Sequence, residues 1–83
     1  MEYDISNHAA KRMQERKIEK RWVDLALVEP DREERDPIDP DVRHAFKWIA
    51  EMGNRVLRVV YNDIASPKRI ISVYFDRGMR GKI

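Results

Sequence analysis

The stretches "RVLRVVYN" (55–62) and "KRIISVYFD" (68–76), two runs rich in β-branched and aromatic residues, decide the fold. The segment "DIASP" (63–67) separates them by a length that suits a hairpin connection. We therefore predict two neighbouring antiparallel strands, in which every second side chain faces the core. The predicted core face carries Leu57, Val59, Tyr61, Ile71, Val73 and Phe75, joined by Phe46 and Trp48 from the preceding strand.

The preceding segment, "VRHAFKWIAEM" (42–52), carries signals for both a helix and a strand. Pro40 before it and Gly53 after it are typical of helix boundaries. Its alternating pattern and its aromatic residues favour a strand, which we predict. In this register the outward face of the sheet displays Arg43, Lys47, Arg58, Ser72, Tyr74 and Asp76.

Two helices are predicted before these strands, over residues 7–17 and 19–28. Ser6 or Asn7 can cap the first helix, because short polar side chains accept hydrogen bonds from the first backbone N–H groups of a helix. Pro30 ends the second helix, since proline cannot continue the helical hydrogen-bond pattern.

Proline and charged residues fill the linker between the second helix and residue 42. They exclude a long helix but leave room for a short edge strand in "REERD" (32–36).

A chain of 83 residues suits a single domain with one core, here residues 1–83. The predicted fold class is α+β, with two N-terminal helices packed on a four-stranded antiparallel sheet.

The amino-acid composition indicates the cellular location of the protein and excludes some kinds of binding site. The chain has no cysteine, so a disulfide framework and a thiolate metal site are both excluded, and a reducing cytoplasm is the expected location. Charged residues interrupt every apolar stretch before it reaches the length of a signal sequence or a membrane span. We expect no membrane association.

Metal and cofactor patterns are incomplete. Asp36, Asp39 and Asp41 are spaced like part of a cation-binding loop, but no glycine turn or terminal glutamate completes it. His8 and His44 lack a partner histidine at helical spacing, and the three glycines form no phosphate-binding loop. We expect no cofactor and no metal.

The positive charge is concentrated in the second half of the chain. Residues 42–83 hold nine lysines and arginines against three acids, a balance of about +6. A basic surface on a small domain favours a polyanionic partner such as RNA or DNA. A high isoelectric point is also common among proteins without such a partner, so both interpretations stay open.

The basic and aromatic residues suggest a chemistry for RNA cleavage without a metal. Such cleavage needs a base at the 2′-hydroxyl, cations at the phosphate and a proton donor for the leaving oxygen. His8 is the candidate base, Arg58 the candidate catalytic cation, and Tyr74 a candidate proton donor or stacking platform. The candidate phosphate cradle consists of Arg43, Lys47, Arg58 and Arg77.

Each candidate also has a structural interpretation. Arg58 would pair with Asp76 or Glu51 across the sheet, and Tyr74 would be an ordinary strand residue. His44, a weaker catalytic candidate than His8, would be buried and hydrogen-bonded. The sequence leaves these alternatives open.

Three separated motifs resemble one known family. The stretches "SNHAAKRMQERKI" (6–18), "VRHAFKWIAEMGNRVLRVVYN" (42–62) and "RIISVYFDRGMRGKI" (69–83) resemble the DUF4258 family of small bacterial and archaeal proteins. The family pattern reads S-x-H-A-x-x-R-M-x-E-R, then R-V-L-R-V-V, then F-D-R-x-x-R-G. Apart from the acidic linker, the match covers nearly the whole chain.

The family is similar in layout to BrnT and RelE-type toxins, which are metal-independent ribonucleases with helices packed on a curved sheet. The resemblance therefore implies a toxin-like α+β fold and a role in RNA cleavage or binding. His8, Arg12 and Arg16 match the family's motif positions, so the first helix is expected to lie beside the site, with Arg12 and Arg16 contacting substrate. Structural support of the helix-to-sheet junction is the alternative role.

Three functional hypotheses follow. The first is a ribonuclease-like toxin or toxin-derived protein acting on RNA, and whether the chain is an enzyme at all is left undecided. The second is a non-catalytic module that binds nucleic acid or the ribosome. The third is a protein-interaction module that offers its acidic linker or a sheet edge to a partner such as an antitoxin.

Overall fold

Five strands form one open sheet, and two helices pack on one of its faces. The structure is a computed structural model that describes residues 2–83. In chain order the elements are β1 (Tyr3–Ile5), α1 (Asn7–Arg16), α2 (Lys20–Val28), β2 (Arg32–Arg35), β3 (Val42–Ile49), β4 (Arg55–Asn62) and β5 (Lys68–Phe75), with short 3₁₀ turns at Ala50–Met52 and Arg77–Met79. The spatial order of the strands is β1-β5-β4-β3-β2.

Local sequence signals account for both helices. The Ser6 hydroxyl accepts a hydrogen bond from the backbone N–H of Ala9 at 3.1 Å and caps α1. At the other end of α1, Lys17 adopts a left-handed conformation with φ 55°. α2 ends at Val28, just before Pro30. Neither helix of the described chain is long and apolar enough to cross a membrane.

The segment with mixed helix and strand signals is a strand as far as Ile49, and a single 3₁₀ turn follows it. β3 and β4 pair antiparallel along their full lengths, and β4 and β5 form the predicted hairpin. The short edge strand in the acidic linker also forms, as β2 against β3.

The prediction of four antiparallel strands is wrong, because the sheet has five strands and one of them runs parallel to its neighbour. A fifth strand, β1, adds to β5 in parallel, with Tyr3 opposite Lys68 and Ile5 opposite Ile70. Three residues are too few to show an alternating pattern. The partner of β1 lies more than sixty residues away along the chain, so no local signal indicates the pairing.

One face of the sheet packs on the helices and forms the core. Ala45, Leu57 and Val59 lie on this face together with Val73. The Trp22 ring of α2 meets the Phe75 ring edge to face, with the ring centroids 6.2 Å apart. The helices contribute Ala9, Met13, Trp22, Val23, Ala26 and Leu27.

The predicted register of the third strand is wrong. Phe46 lies directly opposite Arg58, and Trp48 lies opposite Val56, so both aromatic residues point away from the helices. We call this side of the sheet the open face. Phe46 is nevertheless fully buried there, because the Arg58 guanidinium covers its ring at 4.8 Å.

Ile70 lies in the core, where the sequence predicts Ile71. An irregularity between Val60 and Tyr61 shifts the pairing of β4 with β5, so that Tyr61 lies opposite Ile70. Ile70 is fully buried, whereas Ile71 is 37% exposed. Strict alternation along the strand fails at this point because the shift inserts one residue into β5.

Candidate functional site

The first part of the site is a groove between α1 and the free edge of β5. β1 pairs only with Lys68–Ile70, so the second half of β5 has no neighbouring strand on that side. α1 packs against β5. Between them lies a pocket of about 210 Å³, here called the α1–β5 groove, lined by His8, Arg12, Arg16, Ser72, Val73 and Tyr74.

Helical spacing brings the three groove residues of α1 together. His8, Arg12 and Arg16 are four residues apart and share one side of the helix, where all three are exposed. Arg12 pairs with Glu15 at 3.5 Å, and both side chains are 47% exposed, so the pair is weak. Arg16 makes no ion pair with any carboxylate in residues 2–83. The groove therefore offers cations that are not firmly committed to acidic partners.

A chain of hydrogen bonds crosses the open face beside this groove. Asp36 Oδ1 lies 2.8 Å from His44 Nε2, and Arg58 Nε donates to His44 Nδ1 at 2.9 Å. Arg58 Nη1 then donates to Asp76 Oδ2 at 2.6 Å. These hydrogen bonds join the acidic linker to β3, to β4 and to the residue that follows β5.

These contacts give the two ring nitrogens of His44 different hydrogen-bonding roles. Arginine Nε is a donor only, so the Nδ1 atom of His44 accepts and carries no proton. The other ring nitrogen, Nε2, then donates to Asp36. His44 is buried and uses both ring nitrogens, which matches the structural alternative considered for it.

Arg58 is likewise held by partners within the chain. Its ion pair with Asp76 is the structural alternative considered for it, and the two side chains are only 23% and 15% exposed. Tyr74 is the direct cross-strand neighbour of Arg58, and its ring centroid lies 6.0 Å from the guanidinium carbon. Arg58 thus supports the Tyr74 ring from the side of the open face.

The carboxylate of Asp36, at one end of this series of hydrogen bonds, is stabilised in its charged form. The backbone N–H of Asp39 donates to Asp36 at 2.9 Å, His44 donates to its other oxygen, and the backbone N–H of Ile38 donates at 3.1 Å. Together these donors lower the pKa of Asp36 to about 2. The linker is therefore anchored to the sheet through an ionised side chain.

The predicted four-residue phosphate cradle does not form. Arg43 lies opposite Tyr61 and Lys47 opposite Leu57, which places both cations on the face that bears the helices, away from Arg58. Arg43 Nε pairs with Asp63 at 2.9 Å. Lys47 Nζ donates to the Glu29 carbonyl at 2.8 Å and lies 3.6 Å from Asp31.

Arg77, the fourth member of that cradle, lies in a different cluster. It lines a pocket of about 440 Å³ at the end of the sheet, which we call the arginine pocket. The pocket is lined by Arg55, Val56, Phe75, Asp76, Arg77 and Arg80. No role is predicted for Arg55 and Arg80 from the sequence, although both lie at arginine positions of the motifs R-V-L-R-V-V and F-D-R-x-x-R-G.

No cluster of three histidine or acidic side chains able to hold a metal ion occurs within residues 2–83. In the acidic linker, carboxylate oxygens accept hydrogen bonds from backbone N–H groups instead. Asp36 accepts in this way from Ile38 and Asp39, and Asp39 accepts from Asp41 at 3.0 Å. These contacts stabilise turns in the linker.

Fold and site together define a small mixed α+β protein in which histidine, tyrosine and arginine side chains surround the free edge of one strand. Residues 5–75 match the family model described as domain of unknown function (DUF4258), and the chain belongs to this family. The family assignment from the three motifs is therefore confirmed. Neither a curated protein nor a solved structure matches the chain.

Proposed function

We propose that this protein is a metal-independent ribonuclease of the toxin-like type and that its active site is the α1–β5 groove. The observation that carries the proposal is the meeting of His8, Arg12 and Arg16 with Tyr74, which lies far along the chain, around one pocket. These side chains supply the three requirements of RNA cleavage without a metal: a base, phosphate-binding cations and a proton donor.

The groove suggests a role for each residue. His8 takes the proton of a 2′-hydroxyl, whose oxygen attacks the adjacent phosphorus and forms a 2′,3′-cyclic phosphate. Arg12 and Arg16 hold the phosphate oxygens while negative charge builds on them. Tyr74 donates a proton to the departing 5′-oxygen or stacks on a base. Arg58 is a positioning residue here, because it contacts Tyr74 and Asp76 instead of the groove.

The likeness in layout to BrnT and RelE-type toxins supports the same activity by analogy. It also implies a cytoplasmic protein with an antitoxin partner. The acidic linker and the short β2 edge offer surfaces for such a partner, since both lie away from the groove.

Non-catalytic RNA binding is the second candidate function, because Arg58, the central cation of the open face, is already paired with Asp76. A binding module would use the arginines of the groove without a proton transfer by His8. The two candidates share a surface and differ in chemistry, so one cleavage assay separates them.

The test is cleavage of a structured RNA at low salt with EDTA present. We expect cleavage by the unchanged protein and a loss of about 10²- to 10⁴-fold in rate for His8→Ala. Arg12→Ala combined with Arg16→Ala lowers both binding and rate. Lys11→Ala is the matched control, since Lys11 lies on α1, is exposed and does not line the groove.

Two results would count against catalysis in the groove. If His8→Ala cleaves as fast as the unchanged protein, His8 is not the base. If the protein binds RNA in a salt-dependent way without cutting it, the non-catalytic module is the correct function.

A further inference from the structure

The arginine pocket concentrates positive charge at one end of the sheet. β4 and β5 run antiparallel, so the start of β4, with Arg55, lies beside the turn after β5, with Arg77 and Arg80. In the described chain none of these three arginines forms an ion pair with a carboxylate. Asp76 also lines the pocket, but its charge is balanced by Arg58. The pocket is therefore suited to an anion.

The side chains of this pocket are partly ordered by their neighbours. Arg80 Nη2 donates to the Gly53 carbonyl at 3.1 Å, and the Arg55 guanidinium carbon lies 4.6 Å from the Phe75 ring centroid. Each guanidinium keeps further N–H donors, because arginine has five. The volume of about 440 Å³ exceeds what a phosphate group needs and accommodates neighbouring atoms of a longer ligand.

An exposed tryptophan lies on β3, the strand that pairs with the part of β4 lining the arginine pocket. Trp48 is 44% exposed on the open face, although large aromatic side chains are usually buried. It lies directly opposite Val56, which lines the arginine pocket. Proteins hold single strands by combining exposed aromatic rings, on which bases stack, with nearby cations that contact the phosphates.

The pocket and the α1–β5 groove are adjacent along one strand. Val73 and Tyr74 line the groove, and Phe75 and Asp76 line the pocket. Because a strand rises about 3.3 Å per residue, residues two positions apart are separated by about 7 Å. A single polynucleotide chain can therefore contact both places.

We infer that Trp48 and the arginine pocket form a second subsite that binds a base and a phosphate of single-stranded RNA next to the groove. This inference rests on the proposed function, because it extends the RNA path beyond the cleavage site. It also selects the substrate class: Trp48 stacks on an unpaired base, whereas the bases of a duplex are already stacked on each other.

The test uses a fluorescent 2′-O-methyl oligouridylate of about twelve nucleotides, which has no free 2′-hydroxyl and so stays intact while it binds. Binding is followed by fluorescence anisotropy between about 50 and 200 mM salt. A duplex of the same length is measured in parallel. The variants are Arg77→Gln combined with Arg80→Gln, and Trp48→Ala.

We expect the double arginine variant to lower the slope of log affinity against log salt by about 0.7, since the subsite holds one phosphate and each single-strand phosphate contact contributes about 0.7. Trp48→Ala should weaken binding by about 5- to 100-fold, the usual effect of removing a stacking ring. The matched control is Arg32→Gln combined with Arg35→Gln, which removes the same charge from β2 at the opposite side of the sheet. It should leave the slope unchanged.

Tryptophan fluorescence gives an independent readout. The chain has two tryptophans, and Trp22 is only 3% exposed, so acrylamide quenching reports mainly on Trp48. The bound oligonucleotide should protect Trp48 from the quencher, and Trp48→Phe should remove this effect. Near-ultraviolet circular dichroism shows whether each variant keeps its fold.

The outcomes separate this inference from the proposed function. If the pocket variants bind like the control while Arg12→Ala with Arg16→Ala weakens binding, the second subsite is wrong and the groove stands. Equal affinity for the duplex, or an unprotected Trp48, also overturns the subsite. If the unchanged protein neither binds the oligonucleotide nor cleaves RNA, both proposals are wrong.

Discussion

At the scale of single residues, His44 shows how the open face is held together. Its two ring nitrogens connect Asp36 with Arg58, and the next contact connects Arg58 with Asp76. Buried polar groups are costly when they lose a partner, so each member depends on its neighbours. This dependence explains how a histidine and an arginine can lie on the same face as the buried Phe46 with their polar atoms paired.

Replacing His44, which lies within this series of hydrogen bonds, should destabilise the protein. His44→Phe keeps a ring of similar shape but removes both hydrogen bonds, leaving Arg58 Nε and Asp36 Oδ1 without their partner. We expect the free energy of unfolding to fall by about 1 to 3 kcal/mol, measured by urea titration. His8→Phe, at an exposed position, should change it by less than about 0.5 kcal/mol. Similar losses in both variants would contradict the account of the His44 contacts.

At the scale of secondary-structure elements, the irregular pairing of β4 with β5 decides which isoleucine is in the core. Ile70 is fully buried and Ile71 is 37% exposed, although the two are adjacent in sequence. Ile70→Ala should therefore lower the free energy of unfolding by about 2 to 5 kcal/mol. Ile71→Ala, on the same strand, should lower the free energy of unfolding by much less. Urea titration of the pair tests the register directly, because strict alternation predicts the reverse order.

The start of α1 is a second test at this scale. Ser6 Oγ accepts from the Ala9 N–H group and donates to the Ile71 carbonyl at 3.2 Å, so it joins the helix to β5. Ser6→Ala should cost about 0.5 to 2 kcal/mol of stability, and Ser6→Thr should restore most of it, because threonine keeps the hydroxyl. Thermal unfolding measures both. If Ser6→Thr is as unstable as Ser6→Ala, the lost stability does not come from the lost helix cap.

At the scale of the whole molecule, the acidic linker is tied to the basic half of the chain. Asp31 accepts from the Trp48 N–H group, Tyr61 donates to Glu33 at 3.0 Å, and His44 contacts Asp36. These contacts hold three carboxylates of the linker beside β3 and β4. The groove lies at the β5 edge and the arginine pocket at one end of β4 and β5, and their arginines are available to an anionic ligand.

One consequence is a contribution of Asp36 to the pH dependence of stability. Its pKa is lowered from 3.8 to about 2 in the folded protein, so the stabilisation is present above about pH 3.8 and disappears as the pH falls through about 2. Asp36→Asn should be less stable than the unchanged protein near neutral pH. The difference should shrink as the medium is acidified, and urea titration at several pH values measures it.

The control for this experiment is Asp4→Asn, which changes an exposed carboxylate that forms no ion pair in the described chain. Its difference from the unchanged protein should stay small at every pH. A difference for Asp36→Asn that does not vary with pH would mean that the charge of Asp36 does not stabilise the fold.

The sequence by itself determined the two helices, the hairpin and the family, because capping residues, alternation and motifs act over a few positions. Helical spacing likewise brought His8, Arg12 and Arg16 to one side of α1. Only the tertiary structure decided the face of β3, the partner of β1 and the irregular pairing at Ile70. β3 buries Phe46 on one face and Ala45 on the other, so its alternation does not show which face meets the helices. Strand pairing depends on residues distant along the chain, which is why Arg43 and Lys47 lie apart from Arg58.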